Sequence, residues 1–530
     1  MNYLILDLET TGLLEDLDRI LVGGFKLNDE PIYVEKPPFS AATKRLLSDS
    51  ETAIVGHNVL FDVTFFEKAG YTIQGPIFDT RILAFAKWPF AKLKLKQLAR
   101  DIFKKEVIEL KNIRGRKKME DIDPNILEGY VKQDIQLTYD LFKLLFQTRG
   151  HWVDTVEVPL TKTIYEIQKR GMLIDVKNLT EINHDWENDV SSVVGSYNIN
   201  LNSSQQVKER LEQEVGPVKS TDKLSLIELC SKSKFARDML QYRELQTLCS
   251  RYTRPFLKIN KGGYIHGKFN QAGQEKNDTG VKTGRLSSSN PNLQNIPSRT
   301  PNGKALRKCF TAPRGHKLIV ADASQIEPRF VAYYTRDPIL LDIYHRGLDF
   351  HGRITEYAYG KSIFTPEERF VGKTIGLATI YGAYPAKLQA VLKQYGIVLS
   401  IGDVNILWNR IRDNFRHTIG WIKRFEEQTK QRGYFYTYGG RKYPYNPSSA
   451  VFNTLIQGGC ADYNKLCVLN LEEIGYKVVN NIHDEILSYV PMSSAEKARK
   501  DFTEIMEQTI SLGDIRVQAD VKICDNWGEK

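Results

Sequence analysis

The chain has 530 residues, of which 41% are hydrophobic and 26% are charged. This composition excludes a largely disordered or fibrous protein, and the length exceeds what one hydrophobic core usually supports, so we expect two or more domains. Lysine and arginine outnumber aspartate and glutamate by 74 to 64, and the net charge of +10 favours a polyanionic partner such as a nucleic acid.

The cysteines and the first residues indicate a reducing compartment. The six cysteines stand far apart without a Cys-x-x-Cys pair, which argues against a zinc site and against a disulfide framework. No apolar run is long enough for a transmembrane helix. The chain begins like a strand, without the basic start and cleavage site of a signal peptide. We therefore expect a cytoplasmic protein without a membrane partner.

Residues 1 to about 150 alternate short apolar runs with helical stretches, which predicts an α/β domain. The first strand is predicted over residues 3–9, and a helix over 128–146 closes the domain. Asp7 and Glu9 lie two residues apart on the strand, so they share one face. Two carboxylates placed like this favour a hard divalent cation between them, although a solvated strand face is the commoner meaning of an isolated Asp-x-Glu pair.

Three further polar residues follow in an informative order. Asp62 ends the apolar stretch 56–62, and Tyr130 and Asp134 lie at i and i+4 on one face of the closing helix. In this order the residues resemble the tyrosine branch of the DEDD family of 3′–5′ exonucleases, over about residues 1–150. The resemblance implies an RNase H-like fold, in which Tyr130 orients the attacking water. It also implies that metal ions, which can stabilise the attacking and leaving oxygens, are held by Asp7, Glu9, Asp62 and Asp134.

Residues 151 to about 280 read as mostly helical, and strands mix with long helices from 281 onward. An apolar strand over 317–322 ends at Asp322, and Ser324 with Glu327 predicts a capping box that opens the next helix. Two strands over 476–482 and 486–490 predict a hairpin with His483, Asp484 and Glu485 at its tip. Acidic residues at turns are ordinary, so these pieces carry little weight alone.

The segment 365–382 predicts a helix with a basic stripe. Thr365 and Glu368 form a capping box, and Pro366 suits the first helical position. Four residues then recur at every fourth position, and the two cations among them would bind phosphates near the helix N-terminus. The alternative is a solvated basic helix. The four residues are Arg369, Lys373, Leu377 and Tyr381.

Together these segments resemble the family A DNA polymerases over about residues 151–530. The palm motifs are matched at 322–329 and 483–485, the fingers helix at 369–382, and the primer-template segments at 283–288, 290–297 and 457–458. The resemblance implies a right-hand fold with the thumb at about 180–280, the fingers at about 346–434, and the palm at about 281–345 and 435–530.

The resemblance also implies residue roles for phosphoryl transfer from a dNTP to a primer 3′-OH. Two Mg²⁺ ions are expected at each site, with Mn²⁺ as an alternative, and Asp322 and Asp484 hold those of the polymerase site. Lys373 would also protonate the leaving group. The dNTP is bound by Arg369, Lys373, His351, Gln325, Glu327, Leu377 and Tyr381. Primer-template DNA is contacted by Arg285, Asn453, Gln457 and His483.

The sequence departs from the family pattern at three positions. Ala323 and Leu377 stand where the family usually has an aromatic residue, and Pro328 stands where it has Leu. Three alternatives remain: a nuclease with a polymerase-like DNA-binding platform, a single-subunit RNA polymerase, and a non-enzymatic DNA-binding protein. Intact Asp322, Asp484 and Lys373 argue against the first, and Glu327 with a proofreading domain argues against the second. No segment resembles the family's 5′-nuclease domain, so we expect a phage-type, monomeric replicase that works with a primase-helicase.

Overall fold

The computed structural model describes residues 2–14, 17–272, 281–447 and 450–530. Strands dominate the start of the described chain and recur later, whereas residues 176–259 and 326–432 contain helices without a strand. The strands are β1 (Asn2–Thr10), β2 (Ile20–Leu27), β3 (Tyr33–Glu35), β4 (Thr52–Gly56), β5 (Ile77–Asp79), β6 (Met172–Leu173), β7 (Tyr264–Ile265), β8 (Lys268–Asn270), β9 (Ser287–Ser289), β10 (His316–Ala323), β11 (Tyr434–Tyr436), β12 (Lys442–Pro444), β13 (Lys477–Ile482), β14 (Glu485–Pro491) and β15 (Ala519–Cys524).

No helix in the described ranges is both long enough and apolar enough to cross a membrane. Short 3₁₀ or π turns cover Met119–Asp121, Val153–Glu157, Cys249–Thr253, Met492–Ser494 and Trp527–Glu529. The α-helices are α1 (Ala41–Ser48), α2 (Leu60–Lys68), α3 (Thr80–Lys87), α4 (Leu95–Phe103), α5 (Leu110–Arg114), α6 (Pro124–Gln147), α7 (Val158–Arg170), α8 (Val176–Ser196), α9 (Ser204–Val215), α10 (Lys223–Leu229), α11 (Lys234–Leu248), α12 (Arg254–Ile259), α13 (Pro301–Lys308), α14 (Ile326–Thr335), α15 (Pro338–His345), α16 (Phe350–Tyr359), α17 (Pro366–Ile380), α18 (Pro385–Lys393), α19 (Ile401–Asn414), α20 (Arg416–Arg432), α21 (Val451–Glu473) and α22 (Ala495–Gln508).

Contacts between residues divide the chain into two compact units. Each unit is assembled from three stretches that are distant in sequence, so its functional residues can come from any of the three. The first unit comprises Met1–Arg170, Gly267–Gln294 and Arg432–Asp484, and the second comprises Gly171–His266, Asn295–Gln431 and Glu485–Lys530.

A five-stranded sheet with the order β3-β2-β1-β4-β5 organises the start of the first unit. The central strand β1 pairs antiparallel with β2 and parallel with β4. Leu4, Leu6 and Leu8 enter a core on one face, whereas Ile5 enters the core on the other face, because successive side chains of a strand alternate. Asp7 and Glu9 therefore follow Ile5 on that second face.

Helix α6 packs on the same face, with Val131 and Ile135 in the core that contains Ile5. The helix predicted over 128–146 is confirmed but starts earlier, because Asp123 caps it and Pro124 takes the first helical position. Gly24 of β2 lies beneath the helix, where a Cβ would approach Ile135 Cγ1 to 2.9 Å. A glycine at this position lets α6 lie close to the sheet.

In the second unit β10 lies between β14 and β15 and pairs antiparallel with both. Asp322 lies near the end of β10, directly opposite Glu485 of β14. The prediction placed Glu485 at a hairpin tip, and this is wrong because the residue belongs to β14. Only His483 and Asp484 stand between β13 and β14, and His483 adopts a left-handed φ of 56°.

The predicted start of helix α17 is confirmed. The Thr365 side chain accepts a hydrogen bond from the Glu368 amide at 3.1 Å, and the Glu368 carboxylate accepts one from the Thr365 amide at 2.8 Å. Gly372 and Gly376 face α16, where a Cβ would collide with Thr355 and Ile354. The two helices therefore pack closely, and this packing fixes the rotation of α17 about its axis.

The capping box predicted at Ser324 is wrong. Gln325 precedes α14 with a left-handed φ of 56°, and no side chain caps the helix. The Ser324 carbonyl instead accepts a hydrogen bond from Arg329 Nε at 2.9 Å, and the Glu327 carboxylate accepts one from the Tyr381 hydroxyl at 3.2 Å. Glu327 is thus engaged by a residue 54 positions away rather than by its own helix start.

Candidate active sites

Three predicted carboxylates of the first unit come together above the sheet. Side-chain oxygens of Asp7, Glu9 and Asp134 lie within 4.8 Å of one another. The fourth, Asp62, follows the start of α2, and its Oδ1 accepts a hydrogen bond from the Leu8 amide at 3.0 Å. That bond fixes Asp62 to the strand between Asp7 and Glu9. The predicted common face of Asp7 and Glu9 is confirmed, and the roles of these residues stay predictions.

Burial and mutual repulsion destabilise the charged forms of these carboxylates. Burial, together with the charges of Asp62, Asp134 and Glu9, raises the pKa of Asp7 well above its usual value. Burial and the Asp134 charge raise the pKa of Glu9 to about 8. Burial also raises the pKa values of Asp62 and Asp134. A buried oxygen-rich group of this kind fits a hard divalent cation, which would relieve the repulsion.

A cation that sequence reasoning missed lies among these carboxylates. Lys96, in the first turn of α4, places Nζ 2.9 Å from Asp134 Oδ2 and 3.6 Å from the centre of the Tyr130 ring. The same Nζ donates a hydrogen bond to the Tyr130 hydroxyl. Burial and the neighbouring charge of Asp134 raise the pKa of Tyr130, so the phenol stays protonated. No motif flags Lys96, because its neighbours in sequence are also basic.

The second unit holds a smaller carboxylate pair. Lys530 Nζ lies 2.7 Å from Asp322 Oδ2 and also contacts Glu485 Oε2, whereas Glu485 Oε1 accepts from Trp527 Nε1 at 2.8 Å. Burial raises the pKa of Asp322, although the positive charge of Lys530 acts to lower it. Lys530 and Trp527 were also missed by sequence reasoning. Asp484 belongs to the first unit, where Arg285 Nη2 lies 3.7 Å from its Oδ1.

The basic stripe predicted on α17 exists and is denser than the sequence indicated. Burial, followed by the charges of Arg299 and Arg369, lowers the pKa of Lys373. Arg369 Nη2 lies 2.6 Å from Asp349 Oδ2. Burial and the Lys373 charge lower the pKa of His351 to about 4. Arg299 is an additional cation that the motifs did not identify. The positive charges of Arg299, Arg369 and Lys373 repel one another, and a bound polyanion such as a triphosphate would relieve this repulsion.

The far end of α17 meets the segment that follows Asp322. Tyr381 caps α17 and donates its hydroxyl hydrogen bond to Glu327. Tyr381 and Leu377 also line an apolar crevice with Pro328. Gln325 stands before the same helix as Glu327, with its backbone in the left-handed region. The structure therefore brings Glu327, Leu377 and Tyr381 together.

The residues predicted to contact DNA all lie in the first unit, where one buried arginine joins two of the stretches that carry them. Asn453 and Gln457 are one turn apart on α21, and both are partly exposed. Arg441 is buried, and its Nη2 donates to the carbonyls of Thr283 at 3.1 Å and Gly458 at 3.0 Å. Arg441 thus joins the stretch that carries Arg285 to the stretch that carries Gln457, and the sequence did not predict this link.

A buried ion-pair network surrounds that arginine. Arg441 Nε donates to Asp462 Oδ1 at 2.6 Å, and Nη1 donates to the Tyr443 hydroxyl at 2.9 Å. Lys465, one turn beyond Asp462 on α21, places Nζ 2.7 Å from Glu157 Oε1. Burial raises the pKa of Glu157, but the charges of Lys465 and Arg441 outweigh it and leave that pKa lowered. The network fixes α21 to its surroundings in the first unit.

Comparison with known proteins matches two parts of the chain to known families. Residues 175–529 match the family model described as DNA polymerase family A, and residues 25–148 match a 3′–5′ exonuclease model. An α/β exonuclease domain is therefore followed by a polymerase domain. The chain belongs to DNA polymerase family A. Asp7 and Glu9 precede the matched exonuclease residues, so their place beside Asp134 is a finding of the structure.

Individual relatives support the assignment. The thermostable DNA polymerase I of Thermus filiformis is 31% identical over 74% of this chain and 50% of its own length. DNA polymerase I of Treponema pallidum is 26% identical over 94% of this chain and 53% of its own length. The chain thus spans about half the length of these curated relatives. The polymerase domain of Pol1 from M. smegmatis, solved with DNA primer-template and dNTP, has the same fold, with a TM-score of 0.84, 23% identity, and coverage of 99% of this chain and 95% of that chain.

Proposed function

We propose that this chain is a template-directed DNA polymerase that extends a primer 3′-OH with dNTPs and proofreads with a 3′–5′ exonuclease. The hydrogen bond between Tyr381 and Glu327 carries the proposal, because it joins the basic helix α17 to the segment that follows Asp322. A phosphate-binding helix beside a strand-borne carboxylate is the arrangement that nucleotidyl transfer needs.

In the proposed reaction, the primer 3′-hydroxyl loses its proton to solvent and its oxygen bonds to the α-phosphorus of the dNTP. The bond from that phosphorus to the pyrophosphate oxygen breaks. Asp322 and Asp484 would hold divalent ions, which supply charge stabilisation to the attacking and leaving oxygens when bound. Arg369 would bind the triphosphate with Lys373. The pKa of Lys373 is lowered, so the ammonium gives its proton to the leaving pyrophosphate more readily.

The pocket under the incoming sugar would be formed by Glu327 and Tyr381. A ribose 2′-OH would compete with Tyr381 for the Glu327 carboxylate, so the site would favour deoxyribose. His351, whose pKa is lowered to about 4 so that it stays neutral near pH 7, would donate one hydrogen bond to the phosphates. Gln325 precedes the same helix and would contact the nucleotide from the strand side.

Primer-template DNA would lie against Arg285, Asn453, Gln457 and His483. The duplex backbone would be held mainly by lysine and arginine, so binding should weaken steeply with salt. We also propose Mg²⁺ as the metal, with two ions at the polymerase site, and Mn²⁺ as a substitute. At the exonuclease site we propose two further divalent ions, which Asp7, Glu9, Asp62 and Asp134 would hold. The chain would act as a cytoplasmic monomer with replication partners such as a primase-helicase.

Two matched variants test the proposal. Asp7→Ala with Glu9→Ala should abolish 3′ degradation of a labelled primer and leave dNTP incorporation within about twofold, because the carboxylates belong to a different constellation from Asp322. Asp322→Asn should abolish dNTP incorporation and leave 3′ degradation of the primer within about twofold. A wild-type chain that degrades primers but incorporates no dNTP would instead identify a nuclease with a DNA-binding platform. Loss of extension in a folded Asp7/Glu9 double variant would contradict the assignment of two separate sites.

A further inference from the structure

The chain between α4 and α6 carries an exposed run of positive charge. Residues 111–118, which we call the basic segment, contain five cations and no acidic residue. All five are exposed, and none forms an ion pair with a residue that the structure describes. By contrast, Lys105, just before the segment, pairs with Asp140 of α6 at 2.6 Å. The five cations are Lys111, Arg114, Arg116, Lys117 and Lys118.

Contacts with α6 hold the basic segment beside the exonuclease carboxylates. Just before the segment, the Ile108 amide donates to Gln133 Oε1 at 2.8 Å, and Gln133 Nε2 donates to the Ile108 carbonyl at 3.1 Å. The same Nε2 also donates to Asp134 Oδ1 at 3.3 Å. Just after the segment, Met119 is buried in the same core as Val131 of α6. Both ends are therefore fixed to the helix that carries Asp134.

The turn that follows the basic segment also meets the loop after Glu9. Arg19 Nη2 lies 3.9 Å from Glu120 Oε2, and the Arg19 carbonyl accepts a hydrogen bond from the Thr11 amide at 3.0 Å. The ends of the segment thus lie against the helix of Asp134 and the loop of Glu9. Five like charges within eight residues repel one another, and a polyanion that reaches this site would relieve the repulsion.

We propose that the basic segment binds the phosphate backbone of a single DNA strand whose 3′ end lies at the exonuclease carboxylates. The proposal deepens the proposed exonuclease activity and rests on it. The carboxylate site takes the terminal nucleotide, whereas the segment contacts phosphates of nucleotides further from the 3′ end. Contacts of lysine and arginine with phosphates carry no sequence information, so binding depends on strand length and on salt.

The dependence of KM on strand length tests the proposal. Degradation of single strands of about 2 to 12 nucleotides is compared between wild type and two variants of the whole chain. The test variant removes one arginine and two lysines of the segment: Arg116→Gln, Lys117→Gln and Lys118→Gln. The control removes the same residue types elsewhere in the first unit: Lys36→Gln, Lys44→Gln and Arg45→Gln. The control cations are exposed on α1 or before it, and α1 buries Leu47 in the core on the sheet face opposite Asp7.

In wild type and control, KM should fall as the strand lengthens, because longer strands reach the segment. In the test variant KM should stay near its value for the shortest strand, with kcat within about twofold, because the segment contacts no reacting atom. Three lost cations should lower the slope of log association constant against log salt by about 2, which amounts to about 10²-fold weaker binding of the longest strand near ~0.1 M salt. An equal dependence of KM on length in the test variant and wild type overturns the proposal.

Fluorescence anisotropy of the longest strand, labelled and without divalent ions, measures binding apart from catalysis. The association constant of the test variant should fall as calculated, and that of the control should match wild type. An equal loss of affinity for a blunt duplex of the same length would overturn the assignment to a single strand. Absence of degradation by wild type, with the difference in anisotropy intact, would contradict the proposed exonuclease activity and support the binding surface.

Discussion

Replacing Arg441 should loosen the first unit and weaken DNA binding together. The guanidinium is 7% exposed and uses all three nitrogens, since it donates to Asp462, to the Tyr443 hydroxyl and to the carbonyls of Thr283 and Gly458. Arg441→Met removes every one of these hydrogen bonds. It leaves the fully buried Asp462 carboxylate with a hydrogen bond from the Gly439 amide at 2.8 Å.

The expected magnitude follows from the cost of an uncompensated buried charge. Removing one partner of a buried ion pair typically costs about 3–5 kcal/mol. A loss of that size raises a local opening constant by about 10²–10³-fold, since about 1.4 kcal/mol corresponds to a factor of ten. Removing both charges, as in Arg441→Met with Asp462→Asn, should restore most of the loss, because the double variant leaves no buried charge unpaired.

Amide hydrogen exchange measures the effect where it occurs. Protection across residues 454–467 of α21 should fall by about 10²–10³-fold in Arg441→Met and by far less in the double variant. Lys442→Met is the matched control, because Lys442 directly follows Arg441, begins β12 and is exposed. Unchanged protection of α21 in Arg441→Met would refute the reasoning.

The same variant should separate the binding of DNA from that of the nucleotide. Arg441 holds the stretches of Arg285 and Gln457 through the carbonyls of Thr283 and Gly458, so the Kd for primer-template should rise about tenfold. The KM for dNTP should not change. Arg441→Lys keeps the charge but lacks the fork that reaches both carbonyls, so it should raise the Kd nearly as much.

Three other predictions concern glycine packing, pH and the sugar pocket. Gly24→Ala should lower exonuclease activity by about 10²-fold, because a Cβ on β2 would push α6 outward. Gly129→Ala should leave this activity unchanged, because Gly129 lies on α6 with open space around it. A quenched-flow assay of both variants measures the difference. Burial and the charge of Arg81 lower the pKa of His57 to about 3. As the pH falls below 6.5, His57 is therefore protonated in the unfolded chain but not in the folded chain. The free energy of unfolding should decrease by about 2–3 kcal/mol between pH 6.5 and 4.5. His57→Gln should flatten that slope in urea unfolding, and an equal slope contradicts the assignment. In exonuclease-deficient chains, Leu377→Tyr should improve the use of dideoxynucleotides. Glu327→Ala should raise the use of ribonucleotides by about 10²-fold. Competitive incorporation against dNTPs measures both effects.

Patterns confined to a few neighbouring residues were predictable from the sequence. The strand that carries Asp7 and Glu9 could be predicted because alternation fixes a shared face, and Tyr130 with Asp134 because i and i+4 do so on a helix. The capping box at Thr365 also formed as predicted. Each of these depends on backbone geometry that the local sequence determines.

The capping box at Ser324 failed although its pattern is as good as that at Thr365. At Thr365 both capping hydrogen bonds form although Lys361 Nζ lies 2.7 Å from Glu368 Oε1, because Glu368 Oε2 still accepts from the Thr365 amide. At Ser324 the amide that would donate to Glu327 donates instead to the Gln518 carbonyl at 2.8 Å, and Glu327 accepts from the Tyr381 hydroxyl. Tertiary partners therefore overrode a local preference of about 1 kcal/mol. No single-sequence rule identifies in advance which of two equal patterns will meet such competition.

Two of the missed residues are cations that compensate predicted carboxylates from far away in the chain. Lys96 lies 38 residues from Asp134, and Lys530 lies 208 residues from Asp322. Each pair forms only because the fold places two unrelated segments side by side, and a surface lysine looks the same in sequence as a buried one. A buried carboxylate must nevertheless be compensated, so each predicted acidic site also predicts a cation of unknown position.

The compensation at Asp322 also explains why that residue, rather than Glu485 opposite it, is the better candidate for a metal ligand. Both oxygens of Glu485 are engaged, one by Trp527 Nε1 and the other by Lys530. Asp322 gives only Oδ2 to Lys530, and among the described residues none bonds to its Oδ1. A divalent ion can therefore approach Asp322 without breaking a bond, whereas Glu485 would first have to release the indole or the ammonium. Trp527→Phe should free one Glu485 oxygen and let Glu485 compete for the ion, which would tighten Mn²⁺ binding at this site. Weaker or unchanged Mn²⁺ binding in a folded Trp527→Phe chain would show that the hydrogen bond does not restrain Glu485.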